Sequence, residues 1–278
     1  MLGTLSQLIA LASAANGALT GRDAAETFYP DHSAFQFCNS VRFVDVRKGL
    51  LGRTREAERH KDPNDWIGSL TKLRVGRAWL TFTEGNSSDA PDHQLAAFVG
   101  GGGDWQLVVT AADETELWMS RWEVTKQNAA DNRIWSVTYG CVGKIRKASV
   151  VPNPNLHSAA SRLQSALTAT REFATTHELP LWADWFERAL KGFEPSQSAT
   201  FPDYIEFVNL DSYPEIAQRI FAAAYNGWVF GGMGSWNDLY FEPESENDRY
   251  NELSAELYSA INDGLQQATW SFGGNTDS

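Results

Sequence analysis

RIWSVTYGCV, residues 133–142, is followed after a short basic stretch by VVPNPN, residues 150–155, and these two segments decide the fold. In the first segment, polar-leaning side chains alternate with aromatic and aliphatic ones, which is typical of a strand with one buried face. The alternating residues are Ile134, Ser136 and Thr138 on one face, and Trp135, Val137 and Tyr139 on the other. In the second segment, Pro152 and Pro154 neither continue a strand nor enter a helix comfortably. The chain therefore changes from sheet to helix at this point.

Upstream of that change, short runs rich in β-branched and aromatic residues are bounded by Gly, Pro, Asn and Asp, as strands are. We expect strands over residues 35–46, 73–83, 94–99, 105–111, 116–125 and 133–142. Their connections resemble hairpins, which favours antiparallel pairing in a meander or partial barrel. The run Gly100 to Gly103 predicts a tight or flexible turn.

Two other segments of the first half do not fit the strand pattern. Residues 47–65 mix Arg and Lys with Glu and end in Asp-Pro-Asn-Asp, which predicts an exposed loop or a short helix. Residues 2–15 are apolar, but no Lys or Arg precedes them as a signal peptide requires. We expect an N-terminal helix there.

After residue 155 the apolar positions recur at helical spacing. A first helix from Leu156 is expected to end at Pro180, and a second follows from Trp182. Ser212 and Glu215 have the spacing of a capping box, and Asn226-Gly227 suits a left-handed stop to that third helix. A final helix is expected from about Asp248. The fold class is therefore α+β, with a region at 1–150 and a helical region at 151–278 that are separate domains or pack as one unit.

Charge is distributed unevenly along the chain. From residue 201 to 278 there are 13 Asp or Glu and 2 Arg, a balance of −11, which leaves −1 of the total −12 for the first two hundred residues (21 basic, 22 acidic). An acidic face repels nucleic acid and favours a basic partner or simply solubility. No apolar run reaches the length of a membrane span, so we expect a soluble, cytoplasmic protein.

The common catalytic and ligand motifs are missing from the sequence. Cys38 and Cys141 are far apart, and no histidine lies three or four residues from another, so no metal site is expected. Cys38 lies in an apolar strand and is better explained as a core thiol than as a nucleophile. We expect no cofactor, and no catalytic residue can be assigned from these patterns.

The most individual stretch is GWVFGGMGSWND, residues 227–238, whose glycines match neither a dinucleotide fingerprint nor a phosphate loop. One hypothesis is a ligand or partner pocket walled by two indoles with polar contacts between them. Its binding residues would be Trp228, Ser235, Trp236, Asn237 and Asp238. The alternative, which we favour, is a glycine-rich connector packed against the core by its indoles.

This stretch resembles a segment near the C-terminus of uncharacterised bacterial proteins, in which an acidic helix with a Tyr-x-x-x-Ser pattern follows. Here that pattern runs from Tyr250 to Ser254, and the resemblance covers the chain from Tyr213 onward. It implies a bacterial origin and carries no activity with it.

Two further surfaces are candidates for binding. Glu242, Glu244 and Glu246 could contact a basic partner, although they also suit a solvated helix N-terminus. Tryptophans of the predicted sheet could present an aromatic strip to sugars or a peptide, although core packing is favoured. These are Trp66, Trp79, Trp105, Trp118, Trp122 and Trp135.

Together these features favour a non-enzymatic protein that binds a basic protein partner through its acidic C-terminal face, as a toxin-neutralising immunity protein of bacteria would. The alternative is an enzyme or small-molecule binder whose pocket lies at residues 227–238.

Overall fold

The computed structural model describes residues 2–22, 28–48, 54–72, 76–85, 90–111, 113–146, 149–194, 201–202 and 205–274. Within them the helices are α1 Leu2–Leu19, α2 Pro63–Lys72, α3 Asp92–Leu95, α4 Leu156–Thr176, α5 Pro180–Lys191, α6 Glu215–Asn226 and α7 Glu244–Trp270. The strands are β1 Cys38–Lys48, β2 Thr54–His60, β3 Arg77–Thr83, β4 Asp104–Thr110, β5 Thr115–Val124 and β6 Trp135–Ile145. Short 3-10 helices cover Ser33–Phe35, Leu210–Ser212 and Trp236–Asp238.

The strands form one open sheet in the order β2-β1-β6-β5-β4-β3. Strands β3 to β6 are an antiparallel meander, and the helices of the second half complete the predicted α+β class. The expectation of purely antiparallel pairing is wrong for β1, which runs parallel to β6. The reason is the connection through α2, which takes the chain from β2 at one edge of the sheet to β3 at the opposite edge. The meander then returns to β1 from the far side.

Two local predictions in the first half are also wrong. The run 94–99 is not a strand, because α3 and the turns after it cover these residues. The segment 47–65 is neither one loop nor one short helix, since it contains the end of β1, all of β2 and the start of α2. Residues 49–53 of this segment lie outside the described residues, and so do residues 73–75 of the predicted strand 73–83. β2 is polar because it is the edge strand and its residues 54–58 are exposed.

The change to helix after residue 155 is confirmed. Asn155 caps α4 by accepting a hydrogen bond from the Ser158 backbone N–H at 3.1 Å. Pro180 does not end this helix but begins α5, where its missing N–H leaves no intrahelical bond unmade.

The predicted capping box and left-handed stop of α6 are both wrong. Ser212 lies in a 3-10 turn, its buried hydroxyl has no hydrogen-bond partner within the described chain, and Pro214 occupies the N-cap. Gly227 has a φ of −85°. Glycine is required there by close packing instead, because a Cβ would lie 2.9 Å from the Ala223 carbonyl oxygen and from Leu167 Cδ2. α7 starts before the expected Asp248, at Glu244.

One continuous hydrophobic core joins α1, the inner face of the sheet and the helices of the second half. Trp66 belongs to α2 rather than to the sheet, and its ring stacks on Phe43 with centroids 4.8 Å apart. His93 of α3 also lies in this interior, with 2% of its surface exposed. In the described part of the chain, no helix combines the length and apolar composition needed to cross a membrane.

Side chains from the two ends of the chain cover the outer edge of β3. The Asn16 amide bonds both the N–H and the C=O of Ala78, at 2.9 and 2.7 Å. From α7, the Trp270 indole donates to the Leu80 carbonyl at 2.8 Å, and the Phe82 N–H donates to the Gln266 side chain at 2.6 Å. An edge strand covered in this way cannot pair with another chain.

Candidate functional site

The sheet opens between β4 and β5, the two central strands of the meander. β4 and β5 are paired only from Leu107↔Trp118 to Thr110↔Thr115. Beyond Leu107, residues 104–106 of β4 pair with β3 alone, and beyond Trp118, residues 119–124 of β5 pair with β6 alone. The two strands therefore diverge and leave a gap.

This gap is part of a cleft of about 590 Å³, a volume within the range of ligand-binding pockets. β4 and β5 form its floor, and its walls come from the first turns of α1, the segment 33–38, the loop 98–104 and residues 205–206. Segments that are distant in sequence therefore converge on one concave surface.

Aromatic rings line the floor of the cleft. Trp105 is buried, whereas Trp122 and Trp135 are half-buried and meet edge to face with centroids 6.0 Å apart. The Trp122 ring packs on the first turn of α1, where a Cβ on Gly3 would lie 3.9 Å from Cη2. Six tryptophans were considered for an aromatic strip, and of these only Trp122 and Trp135 are half-buried. The other four are buried, namely Trp66, Trp79, Trp105 and Trp118.

Large apolar side chains also surround the mouth of the cleft. Phe37, Phe98 and Val99 line it with 52%, 66% and 62% of their surface exposed. Exposed apolar residues gathered around one cavity are typical of a binding site rather than of ordinary surface. We call these three residues the apolar rim.

The glycine run holds the loop that carries Phe98 and Val99. Gly102 and Gly103 have φ values of +79° and +82°, which other residues rarely adopt, so the predicted tight turn is confirmed. A Cβ on Gly102 would lie 2.7 Å from Ala96 Cα. The Gly102 carbonyl accepts a hydrogen bond from the Tyr258 hydroxyl of α7, which anchors the loop to the core.

The charged residues that line the cleft are two acids, Glu206 and Asp104, and one base, Arg121. Glu206 accepts a hydrogen bond from the Ser33 N–H at 2.8 Å, and its own N–H donates to the Ser33 hydroxyl at 3.1 Å. Asp104, at the start of β4, is also exposed. The guanidinium of Arg121 is bound to Glu56 at 2.5 Å and to Glu123 at 3.3 Å, so its charge is already compensated.

Cys38 lies in the wall of the cleft but is not placed as a nucleophile. Its side chain is buried, and its sulfur accepts a hydrogen bond from Gln7 Nε2 at 3.1 Å. Burial raises the pKa of this thiol to about 11, so it is protonated at neutral pH. Both cysteines are free and buried, as predicted for core thiols.

Of the predicted 227–238 site, Ser235, Trp236, Asn237 and Asp238 lie together in one 3-10 turn. The Trp236 indole is buried and donates to the Ser254 hydroxyl at 2.8 Å, while Asn237 Nδ2 donates to the His93 carbonyl at 2.9 Å. Asp238 accepts a hydrogen bond from the Gly234 N–H.

Trp228 lies in a different aromatic cluster from Trp236. Its ring contacts Phe230 and Tyr258, and its indole donates to the Phe230 carbonyl at 3.0 Å. The ring partners of Trp236 are Trp182, Phe186 and Tyr250. A ligand pocket between these two indoles stays a prediction.

The three predicted carboxylates lie at the start of α7. Glu242 and Glu244 are exposed, and Glu246 is half-buried with its Oε2 3.1 Å from His177 Nε2. Glu244 and Glu246 are in the first helical turn, where negative charge interacts favourably with the helix dipole. Their contact with a basic partner also stays a prediction.

The cleft itself was only partly foreseen from the sequence. Trp122 and Trp135 belonged to the aromatic strip that could bind a peptide, but the apolar rim and Glu206 were missed. One signal in the sequence could have indicated the apolar rim. Phe98 and Val99 directly precede four glycines, and a pair of apolar residues beside a turn is unusual.

Among the described residues, no group of His, Cys, Asp and Glu is arranged to hold a metal ion. No protein-family model, no curated protein and no solved structure matches the chain.

Proposed function

We propose that this protein is a non-enzymatic binding protein that receives an apolar peptide segment of a protein partner in the cleft between β4 and β5. The observation that carries this proposal is the apolar rim around a cleft floored by Trp105, Trp122 and Trp135. Buried aromatic anchors in concave sites contribute most of the affinity of many protein complexes.

The rim favours a protein partner over a free small molecule. A small ligand inside the cleft would leave much of Phe37, Phe98 and Val99 in water, since more than half of each is exposed. A partner that inserts one segment and rests on the rim would cover these side chains as well.

The charges favour basic residues on both sides of the inserted segment. Glu206 and Asp104 are exposed at the mouth, and the whole chain carries −12. Attraction between this negative charge and a basic partner accelerates their encounter, and salt screens that attraction. Association is therefore expected to slow as the salt concentration rises.

The sequence-predicted acidic face is a second candidate for the same class of function. Met233 and Tyr240 are 101% and 70% exposed on either side of the Trp236 turn, close in sequence to Asp238 and Glu242. Exposed apolar side chains among carboxylates would suit a partner with a basic, partly apolar surface. The narrower toxin-neutralising role, the cytoplasmic location and the alternative of an enzyme at 227–238 stay predictions.

Selection from a displayed library of random peptides tests the proposal and separates the two surfaces. One variant carries Phe98→Ser with Val99→Ser, and the matched control carries Met233→Ser with Tyr240→Ser. All four side chains are exposed, so both variants should fold, which circular dichroism verifies. We expect apolar peptides flanked by Lys or Arg, with affinity at least about tenfold lower, or about 1.4 kcal/mol, for the Phe98/Val99 variant only.

Loss of affinity in the Met233/Tyr240 variant alone would refute the cleft as the binding site and support the acidic face. A library that yields no peptide, or peptides that bind both variants as well as the unaltered protein, would refute peptide binding at either surface.

A further inference from the structure

The backbone of the cleft floor carries hydrogen-bonding groups that the sheet does not use. Thr125 N–H donates to the Ile134 carbonyl at 2.9 Å, and the register continues through Arg121↔Thr138 and Met119↔Gly140. In an antiparallel ladder the backbone groups of alternate residues point to opposite neighbours. Residues 119, 121 and 123 therefore direct theirs to β6, and Ser120 and Trp122 direct theirs into the gap.

The facing strand is arranged in the same way. Ala111 N–H donates to the Glu114 carbonyl at 2.8 Å, which makes Val109↔Glu116 and Leu107↔Trp118 the hydrogen-bonded pairs of β4 and β5. Trp105 would be the next β4 residue to point its backbone groups at β5, opposite Ser120. The ladder stops before this pair, so within the described chain both residues lack a strand partner on this side.

These open backbone groups lie where they are accessible to a ligand. Trp105, Ser120 and Trp122 all line the cleft. The outer edge of β3 provides a contrast, because side chains of α1 and α7 bond the backbone of Ala78 and Phe82 there. The molecule covers one strand edge and leaves the edge inside the cleft uncovered.

We infer that the peptide in the cleft is bound as an extended strand, hydrogen-bonded to the backbone of Ser120 and Trp122 of β5. This inference rests on the proposed function and specifies its ligand. Addition of a strand to an open edge is a common mode of peptide recognition, in which main-chain bonds give affinity and pockets for alternate side chains give specificity. The donors and acceptors of a strand repeat with the same two-residue spacing as those of Ser120 and Trp122.

The surroundings of the two strand faces predict the pattern of the peptide. Trp122 packs on α1 and contacts Trp135, so peptide side chains on that face should be large and apolar. The opposite face presents Arg121, which is committed to Glu56, and should tolerate polar residues. We therefore expect alternation of apolar and polar residues rather than the three- and four-residue spacing of a helix.

Backbone N-methylation of a library-selected peptide tests this inference. Each peptide position is N-methylated in turn, which removes one donor and keeps the side chain. We expect affinity to fall about three- to tenfold at alternate positions and to change little at the positions between them. Amide exchange measured by NMR should slow on binding at Ser120 and Trp122, but not at Met119 and Arg121, which already pair with β6.

The outcomes separate this inference from the proposed function. If Phe98→Ser with Val99→Ser weakens the peptide but N-methylation shows no alternation and the amides of Ser120 and Trp122 are unchanged, strand addition is refuted and the cleft remains the binding site. If library selection yields no peptide, both proposals are refuted.

Discussion

Trp236 illustrates at the scale of one residue how a side chain that suggests a ligand site can serve the fold. Its ring is fully buried between Trp182 and Phe186, at 5.5 and 5.1 Å between centroids, and its indole bonds Ser254. The Tyr250 hydroxyl donates to its carbonyl. The Tyr-x-x-x-Ser pattern that follows this segment in the sequence thus holds Trp236 from both its side chain and its backbone.

We expect Trp236→Ala to destabilise the protein by about 3 to 5 kcal/mol, because truncation of a buried Trp leaves a cavity and removes the hydrogen bond that the indole donates to Ser254. Thermal unfolding followed by circular dichroism measures the change, with the fully exposed Met233→Ala as control. An unchanged melting temperature for Trp236→Ala would show that the indole is free to serve a ligand, as the pocket hypothesis requires.

The tryptophans also show how much of the site a single residue type reveals. The two-residue period of residues 133–142 correctly placed Trp135 and Val137 on one face, since both face the interior side of the sheet. Periodicity gives the face of a strand but not what lies above it. Trp118 is covered by Phe43, whereas Trp122 borders an opening, and this difference depends on α1 and on the loop at 98–104, which are distant in sequence.

At the scale of elements, Glu116 connects three strands on the face of the sheet that also carries Val109 and Trp118. Its Oε1 accepts hydrogen bonds from Arg59 of β2 and Lys144 of β6, both at 2.6 Å. Burial alone would raise the pKa of this carboxyl, but these two bonds and the positive charges outweigh burial and hold the pKa below its ordinary value.

We expect Glu116→Gln to cost about 1 to 3 kcal/mol near pH 7, below the range for fully buried ion pairs because the Lys144 side chain is 43% exposed. A carboxyl with a lowered pKa in the folded state stabilises the fold above its unfolded pKa of about 4.3, and this contribution is lost as the pH falls further through the folded pKa. The difference from the unaltered protein should therefore be constant down to about pH 5 and shrink below about pH 4.

Urea denaturation across that pH range measures the difference, and Glu123→Gln is the matched control. Glu123 binds Arg121 at 3.3 Å on the exposed surface, so its loss should change stability by less than about 0.5 kcal/mol. Equal costs for the two substitutions, or a Glu116 difference that grows on acidification, would contradict the assigned role.

The elements that were mispredicted share one physical cause. The residues of β2 suggested a loop because an edge strand needs no buried face, and the parallel pairing of β1 depends on the path of α2 rather than on any residue in β1. The capping box of α6 had the correct residues at the correct spacing, yet Ser212 belongs to the neighbouring 3-10 turn and its hydroxyl makes no hydrogen bond within the described chain. Local patterns determine which conformations are available, and contacts between distant segments select among them.

At the scale of the whole molecule, contacts between the two halves are concentrated at β3. Arg77 donates to the carbonyls of Trp270 and Phe272, both at 2.6 Å, and the Trp270 indole bonds the Leu80 carbonyl. These bonds join the β-rich half to the helix that ends the second half. Without the α7 side chains, the backbone of Leu80 and Phe82 at the outer edge of β3 would lose these hydrogen bonds, although Asn16 of α1 would still bond Ala78.

We therefore expect the sheet and the helices to unfold together, although the sequence left open a division at residue 150. In urea, the near-ultraviolet signal of the tryptophans and the far-ultraviolet helical signal should give one midpoint, since a shared core unfolds cooperatively. A fragment of residues 1–150 should fail to reach a native spectrum, because it lacks the α7 side chains that cover β3. Two separate midpoints, or a folded fragment, would show that the halves are independent domains, and the open strand edge in the cleft would then belong to a sheet that is stable without α7.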